Sequence, residues 1–227
     1  MRLFALCLAA SQLYTHLRND RRKLSGHHDR IVAAPNVGVP QPLGEEGECL
    51  HNWLFGDGTT APTETDREVS QEMFAQAGAS VMGRQTLDAG EGPWGDDGIS
   101  RVPCFVLTHR ARATLVKDPT TFTVVAAGLA KCLEEATAAA GKKGVCVMSG
   151  TEIAQHGLKA GVVDEIRLHL FPPLLSSGTR LFDHIGPERL AVEKTRVIEA
   201  AVATHLTSRV NNRPARNSAG RDQTASS

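Results

Sequence analysis

The sequence predicts an α/β fold: a central, mostly parallel sheet with flanking helices, closed by an antiparallel C-terminal hairpin. Three observations carry that prediction. The middle of the chain alternates strand-like and helix-like segments. The run "GVCVMSG" at 144–150 is apolar on both faces, as interior strands of parallel sheets are. The last two extended runs, at 190–200 and 201–210, succeed each other closely enough to form a hairpin.

Each element has its own signal. "DRIVAAP" (29–35) reads as a strand closed by proline. "GECLHNWLF" (47–55) carries apolar residues at 50, 53 and 54, the spacing of a short helix. In the loop that follows, Thr63 or Thr65 is placed to cap a helix over 66–77, whose Val69, Met73, Phe74 and Ala77 share a face. Strands are expected at 79–83, 103–108 and 121–125. Between the first two, "DAGEGPWGDDG" holds too many glycines and acids for regular structure. An alanine-rich helix spans 128–141 and stops on glycine, with Leu129, Leu133 and Ala136 aligned. The 144–150 strand runs into a helix over 151–160. Residues 163–172 then alternate Ile166, Leu168 and Leu170 with Arg167, His169 and Phe171, a strand with two distinct faces. His169, on the polar face, reads as a structural or interface residue.

The 227 residues carry 25 basic and 25 acidic side chains, but unevenly. Residues 1–30 hold six Lys/Arg against two acids, and 209–227 hold four against one. The middle of the chain therefore has 15 basic and 22 acidic residues, which argues against a nucleic-acid surface on the folded part. The first 26 residues, an apolar run followed by a basic cluster, are expected to be an atypical, poorly ordered leader. The polar end, 211–227, is expected to be a disordered tail, which leaves 27–210 as the folded domain. No stretch approaches the roughly 20 apolar residues of a membrane-spanning helix. Five scattered cysteines, with no C-x-x-C pair, fit neither a disulfide framework nor a cysteine-rich zinc site, and they suit a reducing cytoplasm. Phosphate-loop, G-x-S-x-G and zinc-deaminase patterns are missing as well, so kinase, hydrolase and deaminase readings drop out.

Three segments end a strand in the same chemical style. Gly83-Arg84-Gln85-Thr86 follows "SVM", Leu107-Thr108-His109-Arg110 follows "CFV", and Ser149-Gly150-Thr151 follows "VCVM" and opens a helix. Backbone free of Cβ, hydroxyls, guanidinium groups and a helix N-terminus all suit phosphate. A single junction of this kind is ordinary turn chemistry; three in one sheet point to a ligand.

The set "VMGRQT", "CFVLTHR" and "VCVMSGTEIAQHGLKAGVVDEIRLHLFPPLLSSGTRLFD" resembles the dihydrofolate reductase superfamily, and within it the riboflavin-biosynthesis reductase (RibD C-terminal) branch. The resemblance covers about residues 27–210 and implies a dihydrofolate-reductase-like three-layer fold. It implies NADPH as cofactor, held by Gly83, Arg84, Gln85 and Thr86, by Leu107, Thr108, His109 and Arg110 at the adenosine end, and by Ser149, Gly150, Thr151, Glu152 and Ile153. The glycine pair of the family, usually joined by a cis peptide, is Ser149-Gly150 here, and Met148 stands where a glutamate is usual. "HHDRIVAAP" replaces a glycine-bearing first strand but keeps Asp29 and Pro35.

Asp29 is thereby a candidate proton donor or orienting acid for substrate, against a plain solvated loop acid. Trp53 is a candidate wall of the substrate pocket, against ordinary helix packing. No metal is expected. The activity implied is hydride transfer to a small heterocycle, aminouracil reduction being its most specific form. The alternatives are a nucleotide-binding protein without turnover, or a decayed paralogue, and an acidic partner-binding module. The expected partners are a small-molecule substrate and a second copy in a homodimer, with neither nucleic acid nor membrane.

Overall fold

A computed structural model describes residues 31–38, 40–92, 94–96, 98, 100–110, 113–148, 150–171, 175, 177–186 and 190–211, and the backbone of 3–11. The strands are β1 (Leu3–Ser11), β2 (Ile31–Ala33), β3 (Ala77–Gly83), β4 (Cys104–Leu107), β5 (Leu115–Lys117), β6 (Thr120–Val125), β7 (Gly144–Met148), β8 (Glu165–Phe171), β9 (Thr179–Arg180), β10 (Val192–Glu199) and β11 (Thr204–Val210). The helices are α1 (Asn52–Phe55), preceded by a 3-10 turn over Gly47–His51, α2 (Glu64–Gln76), α3 (Arg84–Gly90), α4 (Leu129–Ala140) and α5 (Thr151–Lys159).

Nine strands make one sheet in the order β10-β11-β8-β1-β7-β3-β4-β6-β5. The six from β8 to β6 run parallel, while β5, β11 and β10 are antiparallel to their neighbours. A separate two-stranded sheet pairs β2 with β9. This is the expected α/β architecture, with an antiparallel edge at each end instead of one.

Side-chain alternation divides the core into two faces. Ala79, Val81, Phe105, Val145, Val147, Ile166 and Leu168 meet Cys132, Leu133 and Ala136 of α4 and Ile153, Ala154 and Leu158 of α5. On the opposite face Met82, Cys104, Val106 and Phe122 pack with Leu87 of α3. A smaller cluster, Leu50, Trp53, Val202 and Ala203, sits under α1. Burying apolar surface at roughly 25 cal/mol per Å² makes these clusters the main source of stability.

Several sequence expectations are corrected. The expected leader contributes a strand: β1 lies between β7 and β8, parallel to both, in register from Leu6 opposite Ile166 to Ser11 opposite Phe171. Residues 3–11 contain no charged side chain, which suits a strand with neighbours on both sides, whereas an isolated apolar run suits water poorly. The expectations for 12–26 and for the tail at 212–227 lie outside the described residues. The stretch assigned to a flexible loop begins in helix: α3 runs through Asp88–Gly90. Gly90 is needed there because a Cβ would lie 2.1 Å from Cζ2 of Trp94, whose indole stacks near Phe122.

Of the two possible caps, Thr63 is the one used. Its hydroxyl accepts from the Asp66 N–H (3.2 Å), and the Asp66 carboxylate accepts from the Thr63 N–H (2.8 Å), forming a capping box at the start of α2. Among the described residues no helix is long and apolar enough to cross a membrane.

Candidate functional site

The sheet order puts β7, β3 and β4 side by side, so their carboxyl ends, and the three segments that follow, stand in one row. They open on a cavity of about 750 Å³. Gly83, Arg84, Gln85, Thr86, Leu107, Thr108, His109, Gly150, Thr151, Glu152 and Ile153 all line it. Arg110 does not: it is exposed, and its N–H bonds back to the Thr108 hydroxyl at 3.1 Å. The expectation of two cationic grips thus reduces to Arg84 at the cavity itself. Asp29 and Ser149, with its bond to Gly150, lie outside the described residues.

The row is built largely from backbone. Gly150 has φ +95°, a left-handed conformation that a Cβ disfavours. A Cβ there would stand 3.6 Å from the Gly83 nitrogen and 3.8 Å from the Thr86 hydroxyl, and one on Gly83 would stand 3.7 Å from Cδ1 of Ile153. These are ordinary van der Waals distances, so it is the backbone conformation of Gly150 that favours glycine, while Gly83 beside it is extended. Gly150 is also the N-cap of α5, and Gly128 (φ +89°) that of α4; neither helix has a side-chain cap. Both helix starts border the cavity. Their first N–H groups and dipoles make this end suited to a phosphorylated ligand. Arg84 adds a fixed cation, steadied by Asp88 one turn on, with Nε 2.6 Å from the carboxylate. The residues present thus fit the pyrophosphate of a dinucleotide.

The other end of the cavity is aromatic. Trp53 is 3% exposed, lines the cavity and also packs on the Leu50–Val202–Ala203 cluster. Its ring stacks on His169 at 4.1 Å and 16°, and meets His205 edge-on at 5.3 Å. The Trp53 Nε1 is buried without a hydrogen-bond partner among the described residues. His51 and the exposed Phe55 close this side, in an edge-to-face contact at 6.0 Å.

Behind the wall lies a feature that sequence reasoning missed. His169 and His205 face each other across the β8–β11 ladder, their Nδ1 atoms 2.7 Å apart. His205 Nε2 lies 3.0 Å from the Asp66 carboxylate. His169, His205 and Asp66 are 2%, 4% and 0% exposed. Burial drives His169 down to about 3, helped by His205, Arg167 and His51. Burial also lowers His205, against the pull of Asp66, and lowers His51. All three imidazoles are therefore neutral near pH 7. Only the cross-strand register unites positions 169 and 205, and nothing local in the sequence announces it.

Cys104 and Cys132 are buried and pushed up to about 12, chiefly by desolvation, so they are inert thiols. No group of three or more His, Cys, Asp or Glu among the described residues could hold a metal ion.

Comparison with known proteins agrees with this architecture. The solved structure of a protein assigned to riboflavin biosynthesis from Shewanella sp. PV-4 superposes with TM-score 0.60 at 21% identity, over 81% of this chain and 93% of that one. A pyrimidine reductase-like protein from Corynebacterium diphtheriae gives TM-score 0.48 at 13% identity, over 69% and 84%. RibD of Acinetobacter baumannii gives 0.48 at 16%, over 66% of this chain and 51% of that one. No curated protein matches the sequence. The family model of the RibD C-terminal domain matches residues 45–206, most of the chain, and the chain belongs to that family.

Proposed function

We propose that this protein is an NADPH-dependent reductase acting on a C=N or C=O bond of a small heterocycle, with an aminouracil as the most specific candidate. The observation that supports it most is the convergence of three strand ends and two glycine-started helices on one cavity. Family membership supports the reductase class.

In this reading the N-termini of α4 and α5, with Gly83 and Gly150 beside them, bind the pyrophosphate. Arg84 and Thr86 take a further phosphate, and Thr108 and His109 the adenosine end. The nicotinamide supplies the hydride when bound. Trp53, Phe55 and Met73 form an apolar wall that holds a planar ring and excludes water. A cytoplasmic location and a homodimer belong to the same proposal.

A second reading, nucleotide binding without turnover, draws on β2. Among the described residues, the segment expected to serve as a first strand has three residues of β structure and pairs with β9 outside the main sheet. Fluorescence titration with NADPH, followed by its consumption with a panel of aminouracils and pterins, separates the two. Micromolar binding with oxidation by a panel member supports the reductase. Binding without oxidation by any member favours the second reading, and no binding overturns both.

A further inference from the structure

The face of the sheet turned toward α3 supplies thioethers to the cavity, and the surrounding helices supply aromatic rings. Met82 and Met148 stand two residues beyond Ser80 and Cys146, which pair across β3 and β7. Strand alternation therefore puts both on the side that Leu87 of α3 covers. Met73 and Phe74 come from the last turn of α2, Trp53 from α1, and Trp94 from the stretch after α3. All six line the cavity. The chain is only 4% aromatic, with two tryptophans and four methionines. Both tryptophans and every methionine after Met1 thus meet at one cavity.

Core packing accounts for Met73 and Met82, which are buried. It does not account for Phe74, Trp94 and Met148, left half-buried at the cavity, or for Phe55, 65% exposed and lining the same space. Charge is distributed the other way. Among the described lining residues, histidines apart, the charged side chains are Arg84 and Glu152, at the starts of α3 and α5 in the strand-end row. His51 and His169, at the aromatic end, are lowered by burial and stay neutral near pH 7.

We propose that this lining takes an uncharged, apolar substituent on the substrate's ring, an aryl group above all, and discriminates against a phosphorylated sugar in the same position. This rests on the reductase reading and narrows its substrate class.

Two physical effects support the preference. An aryl group leaving water for this surface gains roughly 25 cal/mol per Å² of apolar area, and thioether sulfurs add favourable contacts to an aromatic ring. A phosphate carried into the same place loses hydration, and the described side chains of this end offer it no cation in return. Arg84 is already paired with Asp88 and, in the same reading, takes a phosphate of the cofactor. Unbranched methionines also repack readily, so substituents of different outline can share the surface.

The test is calorimetric titration of the full chain, saturated with NADP⁺, with three probes built on one core: 6-anilinouracil, 6-(ribitylamino)uracil and the phosphate ester of the latter. The anilino compound is expected to bind at least about tenfold more tightly than the phosphate ester, with the neutral sugar compound also weaker than the anilino one. Phe74→Lys, which puts a cation on the wall, should reverse the order of the anilino compound and the ester. Phe74→Ala should weaken the anilino compound about fivefold and so keeps the test decisive where the lysine variant fails to fold, both being checked by thermal denaturation. In protein that binds NADP⁺, a preferred phosphate ester, a sugar compound equal to the anilino one, or no binding of any probe overturns the proposal. So does an anilino affinity unchanged in a folded variant. Failure of NADP⁺ to bind, with the anilino preference intact in the ligand-free protein, overturns the reductase reading and leaves an apolar ligand site, so the two failures are told apart.

Discussion

The two ends of the cavity are built on opposite plans. At the strand-end row the work is done by backbone: glycines at 83, 128 and 150, uncapped helix N-termini, and one guanidinium held by its own helix. At the other end it is done by side chains from distant parts of the chain, with Trp53, Asp66, His169 and His205 stacked and bonded into a buried block. A backbone site tolerates many changes around it, provided the glycines stay. A side-chain block fails when any member is lost, because each leaves another unpartnered or a hole behind.

That contrast can be broken first at Trp53. Trp53→Ala removes a ring buried to 3% exposure and should cost about 3–5 kcal/mol of stability, read as a lower denaturant midpoint. Trp53→Phe should recover most of it. Equal midpoints for wild type and Trp53→Ala would mean that the block is loosely packed.

The next largest effect is with pH. His169 is held neutral in the folded protein, down to about 3, whereas in the unfolded chain it titrates near 6.5. Acid therefore protonates the unfolded state first, and stability falls as pH drops through about 6.5 toward that lower value. Between pH 7 and pH 5 this residue alone should withdraw about 2 kcal/mol. His169→Phe should flatten the slope, and an unchanged slope in that variant would show that His169 is not the source.

Gly150→Ala probes the other plan. An alanine forced to φ +95° should cost about 1–2 kcal/mol of stability and also weaken dinucleotide binding, since Gly150 lines the cavity at the start of α5. Loss of stability with unaltered NADPH affinity would confine Gly150 to a turn role.

The same contrast explains what could be read from the sequence. The strand-end row was legible because each grip is a local string, strand then glycine then polar residues, and the order of elements fixed the parallel sheet that aligns them. Where Arg110 stands is not legible, because its chain turns back on Thr108, a detail of two residues that no pattern encodes. β1 reads as a leader in the sequence alone because an isolated apolar run identifies itself only through the neighbours β7 and β8. The histidine pair was invisible for the same reason, since the 169–205 pairing is a fact of strand register.

The central claim is that the strand-end row holds a phosphorylated dinucleotide, with Arg84 reading its extra phosphate. Titrating NADPH and NADH against wild type and Arg84→Ala tests it most directly. NADPH affinity should fall by about 1–3 kcal/mol in the variant while NADH affinity hardly moves. Equal NADPH affinity in the two proteins would contradict the account.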